Sequence, residues 1–464
     1  MKKMFLLVAA FCFTHWVMGQ GSIVKAPDLN CGNGLICHLG AGQYATYSQT
    51  ADGRNTFSLH SEGSPVVKSV IIPDEFAVND MKMLGDTLYF CGYYDDGSRK
   101  RGMIGYLPLA CFYEGGMFHA DIAPPYTIMN DHSSSSGTPY LNHIIYITRM
   151  DLYRYGGDVN VVFTADNMQT LNGVKVYDHV GLGLLTYSTN GMDVRFLYNK
   201  DGVERFTDIA ATENYVVAVS RTVDSSLLYI RVMPKNDYLT PTFVFLPSGL
   251  PWCYYANARC QGMNDQRVFS DVRVTALPGD CFMAGGLYDL GTEKGMSLKS
   301  FRINSNGAEL VESANLPAVD SSAEWWKMHD MRYCVNTQRV MALADMADQN
   351  ESTIRSRIFE IDVPFLSAPI PNEYMEYHYF RSLSDRPLGG FYAGGFLGGN
   401  SILHCWHEPT LGSTGCGVSG SMPLYNTDLK LYTILRPGNM NNPSFQPFEH
   451  PIEIEEYDDQ NVCQ

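Results

Sequence analysis

The chain has 464 residues, enough for two or three ordinary domains or for one large repetitive fold with a continuous core. Charged residues make up only 18% and aromatic residues 12%, a composition that excludes a disordered protein. The 33 Lys and Arg residues against 49 Asp and Glu give a formal net charge of −16, which argues against nucleic acid or an anionic membrane surface as a partner.

The first 19 residues, "MKKMFLLVAAFCFTHWVMG", have the pattern of a secretory signal peptide. Lys2 and Lys3 form a basic start, an apolar stretch follows, and the small residues Val17 and Gly19 suit a cleavage site. The apolar stretch is shorter than the roughly 20 residues that a membrane-spanning helix needs. We therefore expect residues 20–464 to be exported without a membrane span, to a secreted, periplasmic or cell-surface location.

A repeated layout follows along the chain. Each copy has an aspartate, an apolar strand, a turn dipeptide such as Gly85-Asp86, a second strand rich in small residues, and a third strand. The copies recur about every sixty residues. The clear units begin near Asp80, Asp151, Asp208, Asp271 and Asp330. Degenerate units are expected near residues 41 and 380, and an apolar strand at residues 429–437 is a candidate for closing a ring with the N-terminal unit.

Second strands such as "NYVVAVS" are apolar at nearly every position, which indicates burial on both faces. No linker separates the units, which disfavours a string of β-sandwich domains. The pattern predicts an all-β fold with a single β-propeller, whose sheets have three or four antiparallel strands. Seven blades are predicted, and six are the alternative.

Three segments, "YFCGYYDDG", "FMAGGLYDLG" and "FYAGGFLGG", resemble secreted bacterial β-propeller repeats of the SBBP type. The resemblance covers about a third of the chain and implies a propeller fold and export. It implies no chemistry. The Ala-Gly-Gly runs at Ala284 and Ala393 are interpreted as places where neighbouring sheets pack closely, so that a bulky side chain would force them apart.

The recurrent aspartates have two interpretations. They can converge at the mouth of a ring and bind Ca²⁺ through oxygen ligands. Alternatively, each carboxylate accepts hydrogen bonds from backbone N–H groups and holds its unit to the next, which is the interpretation we favour because a repeated residue first serves the repeated unit. No other cofactor is predicted.

Aromatic residues in the long connections are the candidate ligand-binding residues: Trp252, Tyr254, Tyr255, Trp325 and Trp326. On loops at one face of a propeller they can stack on sugar rings or anchor a protein. Packing inward is the alternative.

The chain has 12 cysteines, of which Cys12 belongs to the signal peptide, so an odd number remains after cleavage. Export permits disulfides. The candidate pairs are Cys31 with Cys37, Cys253 with Cys260, and Cys405 with Cys416.

These patterns predict an exported propeller that acts as a binding or interaction module for a protein or a glycan. A propeller enzyme acting on glycans, as hydrolase or lyase, is one alternative, although no catalytic residue can be named and a non-enzymatic role is favoured. A structural component of a surface assembly is the other alternative.

The signal peptide can be tested on the exported protein. If cleavage follows Gly19, mass spectrometry of the protein from the exported fraction gives a new N-terminus at Gln20. A retained residue 1–19 segment on the exported protein would contradict this.

Overall fold

A computed structural model of the protein describes residues 22–40, 42–50, 53–124, 127–129, 140–142, 144, 146–166, 168–171, 174–177, 181–198, 204–222, 228–237, 243–246, 272–289, 294–304, 307–317, 325–347, 354–363, 370–374, 378–387, 390–397, 401–407, 417–419, 425–426, 432–434, 439–441, 444–458 and 460–461. The predicted signal peptide, residues 1–19, lies outside this part of the chain. Within it, no helix is long and apolar enough to cross a membrane.

Almost all described elements are strands. The first part of the chain contains β1 (Ser22–Gly40), β2 (Gln43–Thr50), β3 (Asn55–Ser61), β4 (Val66–Ile71), β5 (Phe76–Leu84), β6 (Thr87–Asp95), β7 (Lys100–Pro108), the helix α1 (Cys111–Glu114), β8 (Met117–Ile122), β9 (Thr127–Met129), β10 (Tyr140–Asn142), β11 (Tyr146–Tyr155), β12 (Asp158–Asp166), β13 (Met168–Leu171), β14 (Val174–Tyr177), β15 (Gly181–Ser188), β16 (Gly191–Tyr198), β17 (Glu204–Ala211), β18 (Tyr215–Thr222), β19 (Leu228–Pro234), a 3₁₀ turn (Lys235–Asp237) and β20 (Phe243–Leu246).

The second part contains β21 (Arg273–Leu277), β22 (Cys281–Asp289), β23 (Lys294–Asn304), β24 (Gly307–Pro317), β25 (Trp325–Cys334), β26 (Arg339–Ala347), β27 (Ile354–Asp362), β28 (Ile370–Tyr374), β29 (His378–Asp385), β30 (Phe391–Leu397), β31 (Ser401–His407), β32 (Gly417–Ser419), β33 (Tyr425–Asn426), β34 (Tyr432–Ile434), β35 (Asn439–Asn441), β36 (Gln446–Pro451), β37 (Glu453–Asp458) and β38 (Gln460–Asn461).

The large sheets are antiparallel and stand side by side in a ring. Five of them have five strands, in the orders β5-β6-β7-β8-β36, β11-β12-β15-β16-β35, β17-β18-β19-β20-β34, β21-β22-β23-β24-β33 and β25-β26-β27-β28-β32. The first strands of successive sheets contact one another, and the ring closes from β29 through β1 to β5. We call β5, β11, β17, β21, β25, β29 and the second half of β1 the axial strands. The protein is therefore an all-β, single β-propeller.

The sixth large sheet has nine strands and corrects the predicted blade number. Its order is β29-β30-β31-β1-β2-β3-β4-β37, with β38 also on β1. The first half of β1 pairs with β31, and its second half pairs with β2. This one long strand fuses two sets of strands, so the structure has six large sheets, the alternative number, and not seven separate blades. The predicted units near residues 41 and 380 both fall in this sheet.

Ring closure also differs from the prediction. Of the predicted closing strand at residues 429–437, the structure describes β34, which pairs with β20 at the outer edge of another sheet. Closure comes from the N-terminal side, where Ile23 of β1 pairs with Cys405 of β31.

The C-terminal strands form a feature that the repeat pattern does not predict. We call β32 to β38, residues 417–461, the belt. Its strands pair in turn with β28, β24, β20, β16, β8, β4 and β1, which is the reverse of chain order. The belt thus runs backwards around the rim and adds an outermost strand to the sheets.

The apolar core consists of layers between neighbouring sheets. One layer joins β18 and β19 to β22 and contains Val217, Val219 and Phe282, while the next joins β22 to β26 and contains Met283 and Ala342. All five of these side chains are fully buried. Strands buried on both faces explain why the second strands read as continuous apolar runs.

The Ala-Gly-Gly runs lie at close contacts with the following axial strand, in the next sheet for Gly285 and in β1 of the same nine-stranded sheet for Gly394. A Cβ added to Gly285 would lie 3.0 Å from Met328 Cε of the next sheet. At Gly394 it would lie 2.8 Å from both the Gly34 carbonyl oxygen and Ile36 Cβ.

Gly394→Ala should lower the free energy of unfolding by about 1–3 kcal/mol, because backbone and a branched side chain cannot move aside cheaply. Gly285→Ala is the matched control and should cost less, because the nearest atoms, Leu298 Cδ2 and Met328 Cε, are the ends of side chains and not backbone. Urea unfolding of both variants measures the difference. Equal losses would contradict the packing argument.

Candidate functional site

The axial strands share a local irregularity that sets the positions of the polar side chains near the axis. Register shifts leave one residue outside the ladder in β5, β17, β25 and β29, at Asn79, Thr207, His329 and Arg381. A bulge of this kind changes the direction in which side chains point and bends the strand. In β5, β17 and β25 the next residue is one of the recurrent aspartates.

The described aspartates hold adjacent axial strands together. Asp80 accepts hydrogen bonds from the N–H groups of Met81 and of Met150 in the next sheet, each at 3.0 Å. Asp330 accepts from Met331 at 2.9 Å and from Leu383 in the next sheet at 2.8 Å.

The same bond recurs at two more junctions between sheets. Asp151 accepts from Ala211 N–H at 2.7 Å, and Asp208 accepts from Val274 N–H at 3.0 Å. The interpretation of these aspartates as acceptors that join one unit to the next therefore agrees with the structure for Asp80, Asp151, Asp208 and Asp330. Asp271 lies outside the described residues.

Hydroxyl groups perform this role at two further junctions. Thr275 accepts from the N–H of Tyr333 at 3.1 Å, between β21 and β25. Ser384 accepts from the N–H of His38 at 2.9 Å, between β29 and β1. The donor is in each case a backbone N–H of the following axial strand.

Two arginines lie across the axis and were not identified from the sequence. Arg149 of β11 donates to the carbonyl oxygen of His329 in β25 at 2.8 Å, although two sheets separate these strands. Arg332 of β25 lies 3.4 Å from the carboxylate of Asp330 and 3.9 Å from that of Asp80 in β5. The two guanidinium groups thus connect sheets that are not neighbours.

The charges near the axis are strongly coupled. Burial opposes the charge of Arg149, but Asp80, Asp208 and Asp330 raise its pKa above the usual range. Burial acts to raise the pKa of Asp330, yet Arg332 and Arg149 outweigh it and lower that pKa. For Asp208 burial dominates over the same two arginines and raises the pKa. The ionised form is therefore favoured at Asp330 and disfavoured at Asp208.

A buried cluster of serine, aspartate and histidine lies beside these arginines. His329 Nε2 is 2.8 Å from Asp345 Oδ2, and Arg381 Nη1 donates to the same oxygen at 2.7 Å. Ser356 donates to Asp345 Oδ1 at 2.7 Å and accepts from Phe380 N–H at 2.9 Å. The serine bonds to the carboxylate instead of to the imidazole, so the cluster lacks the contact between nucleophile and base that acyl transfer requires.

The calcium hypothesis gains no geometric support from the described residues. They contain no group of three or more His, Cys, Asp or Glu side chains arranged to hold a metal ion. Each described aspartate of the series has an oxygen engaged with a backbone N–H of the next sheet.

Of the predicted aromatic site, Trp252, Tyr254 and Tyr255 lie outside the described residues. The backbone of Trp325 and Trp326 begins β25 and pairs with Ala347 and Met346. Their side chains also lie outside the described part.

The predicted pairing of Cys31 with Cys37 is wrong in this structure, because Cys37 is buried with a free thiol. Both residues lie in β1, opposite Ser48 and Ala45 of β2. Ser48 and Ala45 are three residues apart on the extended strand β2, so the two cysteines opposite them are about 10 Å apart along the sheet. That distance is beyond the reach of a disulfide. Cys253, Cys260 and Cys416 lie outside the described residues, as does the side chain of Cys405.

A separate groove of about 340 Å³ lies at the rim, where the belt passes from β36 to β37. His450 to Glu453 of the belt line one side, and Ile71 to Asp74 with Arg54 line the other. The belt itself builds half of this groove.

Comparison with known proteins shows no match to a protein family and no match to a curated protein. Among solved structures, the WD40 domain of SCAP from fission yeast is similar at 9% identity, covering 84% of this chain and 98% of that one, with a TM-score of 0.33. A GH32 β-fructofuranosidase from Bombyx mori is similar at 8% identity, covering 90% and 94%, with a TM-score of 0.25. The propeller assignment rests on the strand order given above.

The opposite pKa directions at Asp330 and Asp208 give a pH-dependent prediction. At neutral pH Asp330→Asn should cost about 2 kcal/mol of unfolding free energy, because a charge-assisted hydrogen bond is lost. Asp208→Asn should cost less, because burial already disfavours its ionised form.

The sign of the pH effect separates the two residues. A lowered pKa contributes stability that is lost as pH falls below the usual carboxyl range, so wild type should lose more stability than Asp330→Asn between about pH 5 and 3. A raised pKa has the opposite effect, because the folded protein then loses stability as the pH rises through the usual carboxyl range. The Asp208→Asn variant should not show this loss of stability. Urea unfolding measures both, with Asp193→Asn at an exposed site as control. Equal pH profiles would contradict the assignment.

Proposed function

We propose that the protein is an exported interaction module that binds a protein partner at one face of the propeller. A β-propeller commonly serves as such a module. The face is the one at which the axial strands begin, called here the loop face. The opposite face, where the axial strands end in hairpins, is called the turn face.

The length of the connections supports this choice of face. On the turn face, β5 joins β6 through residues 85–86, and β11 joins β12 through residues 156–157. At the loop face, β8 and β11 are joined by residues 123–145, and β20 and β21 by residues 247–272. Long connections on a rigid scaffold are where binding residues concentrate.

The predicted aromatic residues belong to two stretches of sequence that lead into or begin axial strands. Trp252, Tyr254 and Tyr255 are in the connection that leaves the described chain at Leu246 and returns at Val272. Trp325 and Trp326 begin the next axial strand after that sheet. The observation that carries the proposal is the chain order, in which one aromatic sequence precedes the axial strand β21 and the other begins the next axial strand, β25. Aromatic residues are the side chains most enriched at binding hot spots.

The hydrogen bonds within the buried cluster of serine, aspartate and histidine support binding in preference to catalysis. Ser356, His329 and Asp345 are committed to hydrogen bonds among axial and neighbouring strands.

The proposal predicts which substitutions weaken binding. Trp325→Ala with Trp326→Ala should reduce retention of a partner from the exported fraction by about tenfold or more, as for a hot spot. Tyr155→Ala with Val335→Ala is the matched control, since both side chains are exposed on the turn face. Quantitative affinity capture measures retention, and unfolding curves confirm that each variant is folded.

Loss of the partner in the turn-face variant with retention in the tryptophan variant would contradict the proposed face. A glycan array with the same proteins tests the protein partner itself. Glycan binding that depends on the tryptophans, with no protein retained, would overturn the partner class.

A further inference from the structure

The groove at the rim is formed by two parts of the chain that are far apart in sequence, one around Ile72 and the other around Ile452 of the belt. Its volume of about 340 Å³ lies at the lower end of the range of about 300–1,000 Å³ that ligand pockets have. The groove therefore suits one or two side chains of a ligand.

Backbone hydrogen bonds fix both sides of the groove. Ile72 N–H donates to the Asn55 carbonyl oxygen at 2.9 Å, and the Asn55 side chain donates to the Asp74 carbonyl oxygen at 3.2 Å. On the belt side, Ile452 N–H donates to the Gly116 carbonyl oxygen at 3.1 Å. The groove is therefore preformed, and a ligand does not have to order its walls on binding.

Apolar side chains form much of the walls. Ile71 and Ile72 are only 9% and 2% exposed, and Ile452 packs against the same core as Ile72 from the belt side. Pro73 and Pro451 also line the groove. An alkyl chain between these walls would be removed from water, which is favourable.

Carboxylates lie on both sides of the groove. Asp74 is exposed on one side, and Glu453 on the belt side has a side chain that is 77% exposed. Arg54 also lines the groove, but its guanidinium lies 2.8 Å from the Glu455 carboxylate and 3.6 Å from that of Glu453. The three carboxylates exceed the single guanidinium by two charges, so the groove has a surplus of negative charge.

The imidazole of His450 supplies a further acceptor. Its Nδ1 lies 2.6 Å from the Pro451 carbonyl oxygen. Because a carbonyl oxygen can only accept, Nδ1 carries the hydrogen in the neutral ring and Nε2 is an acceptor. A ligand that complements the groove therefore donates hydrogen bonds, carries positive charge and has an apolar stem.

We propose that the groove binds a lysine or arginine side chain from a basic segment of another protein. The methylene stem of such a side chain packs between Ile72 and Ile452, and its charged end reaches Asp74 and Glu453. The formal net charge of −16 attracts a basic partner to the whole chain as well. The groove shares no residue with the aromatic residues of the proposed partner site, so its binding is tested separately from that site.

Isoleucine methyl groups of the groove are the reporters for a test by nuclear magnetic resonance. The peptide acetyl-Ala-Arg-Ala-amide is titrated into the exported protein, labelled at the isoleucine δ1 methyl groups. The signals of Ile72 and Ile452, assigned by substitution with valine, should shift and saturate. One side chain in an open groove should bind with a dissociation constant on the order of 1 mM. Ile358 is fully buried in another sheet and should not shift.

A peptide with citrulline in place of arginine is the matched ligand, because it keeps the shape of the side chain and lacks the charge. It should bind about tenfold more weakly, since two exposed ion pairs are lost. Equal binding of the two peptides would overturn the proposal, as would the absence of any shift at Ile72 and Ile452.

Variants of the protein test the same charges from the other side. Asp74→Asn with Glu453→Gln should weaken binding of the arginine peptide by about tenfold and bring it to the level of the citrulline peptide. Glu309→Gln removes an exposed carboxylate of β24, far from the groove in the strand order, and should leave binding unchanged. The methyl spectrum shows that each variant is folded. Unchanged binding of the arginine peptide by the double variant would overturn the proposal.

Discussion

The propeller depends on hydrogen bonds from the backbone of one axial strand to a polar side chain on the axial strand before it. The N–H groups of Met150, Ala211, Val274 and Leu383 find their acceptors in this way. A buried N–H without an acceptor costs about 1–3 kcal/mol. Adjacent axial strands form no ladder with each other, so the side chains supply the missing acceptors. A carboxylate suits this role because it can accept from its own strand and from the next.

This constraint explains how much of the fold the sequence predicts. The aspartates recur because each junction needs an acceptor, and the small residues at Gly285 and Gly394 recur because each second strand touches the following axial strand. Both signals repeat with the unit and can be read without a structure. At Thr275 and Ser384 the acceptor is a hydroxyl, which the aspartate pattern does not identify.

Features made by pairing across long sequence distances could not be predicted. The two roles of β1 depend on Gly34, whose φ of 64° and close contact with Gly395 accompany the register shift between the two halves of the strand. The proximal belt strands have two or three residues each, too few to show a period of two. Arg149 and Arg332 contact strands of sheets that are not neighbours. These strands come close to one another only in the closed ring, so the sequence does not show the contacts.

The belt also explains the composition of the C-terminus. An outermost strand presents unpaired backbone groups that can template aggregation, and proteins protect such edges with proline and charge. Pro447 lies within β36 and Pro451 ends it, and Glu453, Glu455 and Glu456 follow in β37. The acidic side chains thus protect the outermost strand at the rim from pairing with the strands of other molecules. Since the arginines and aspartates occupy the axis and the belt occupies the rim, the loop face with its long connections is the surface where we place partner binding.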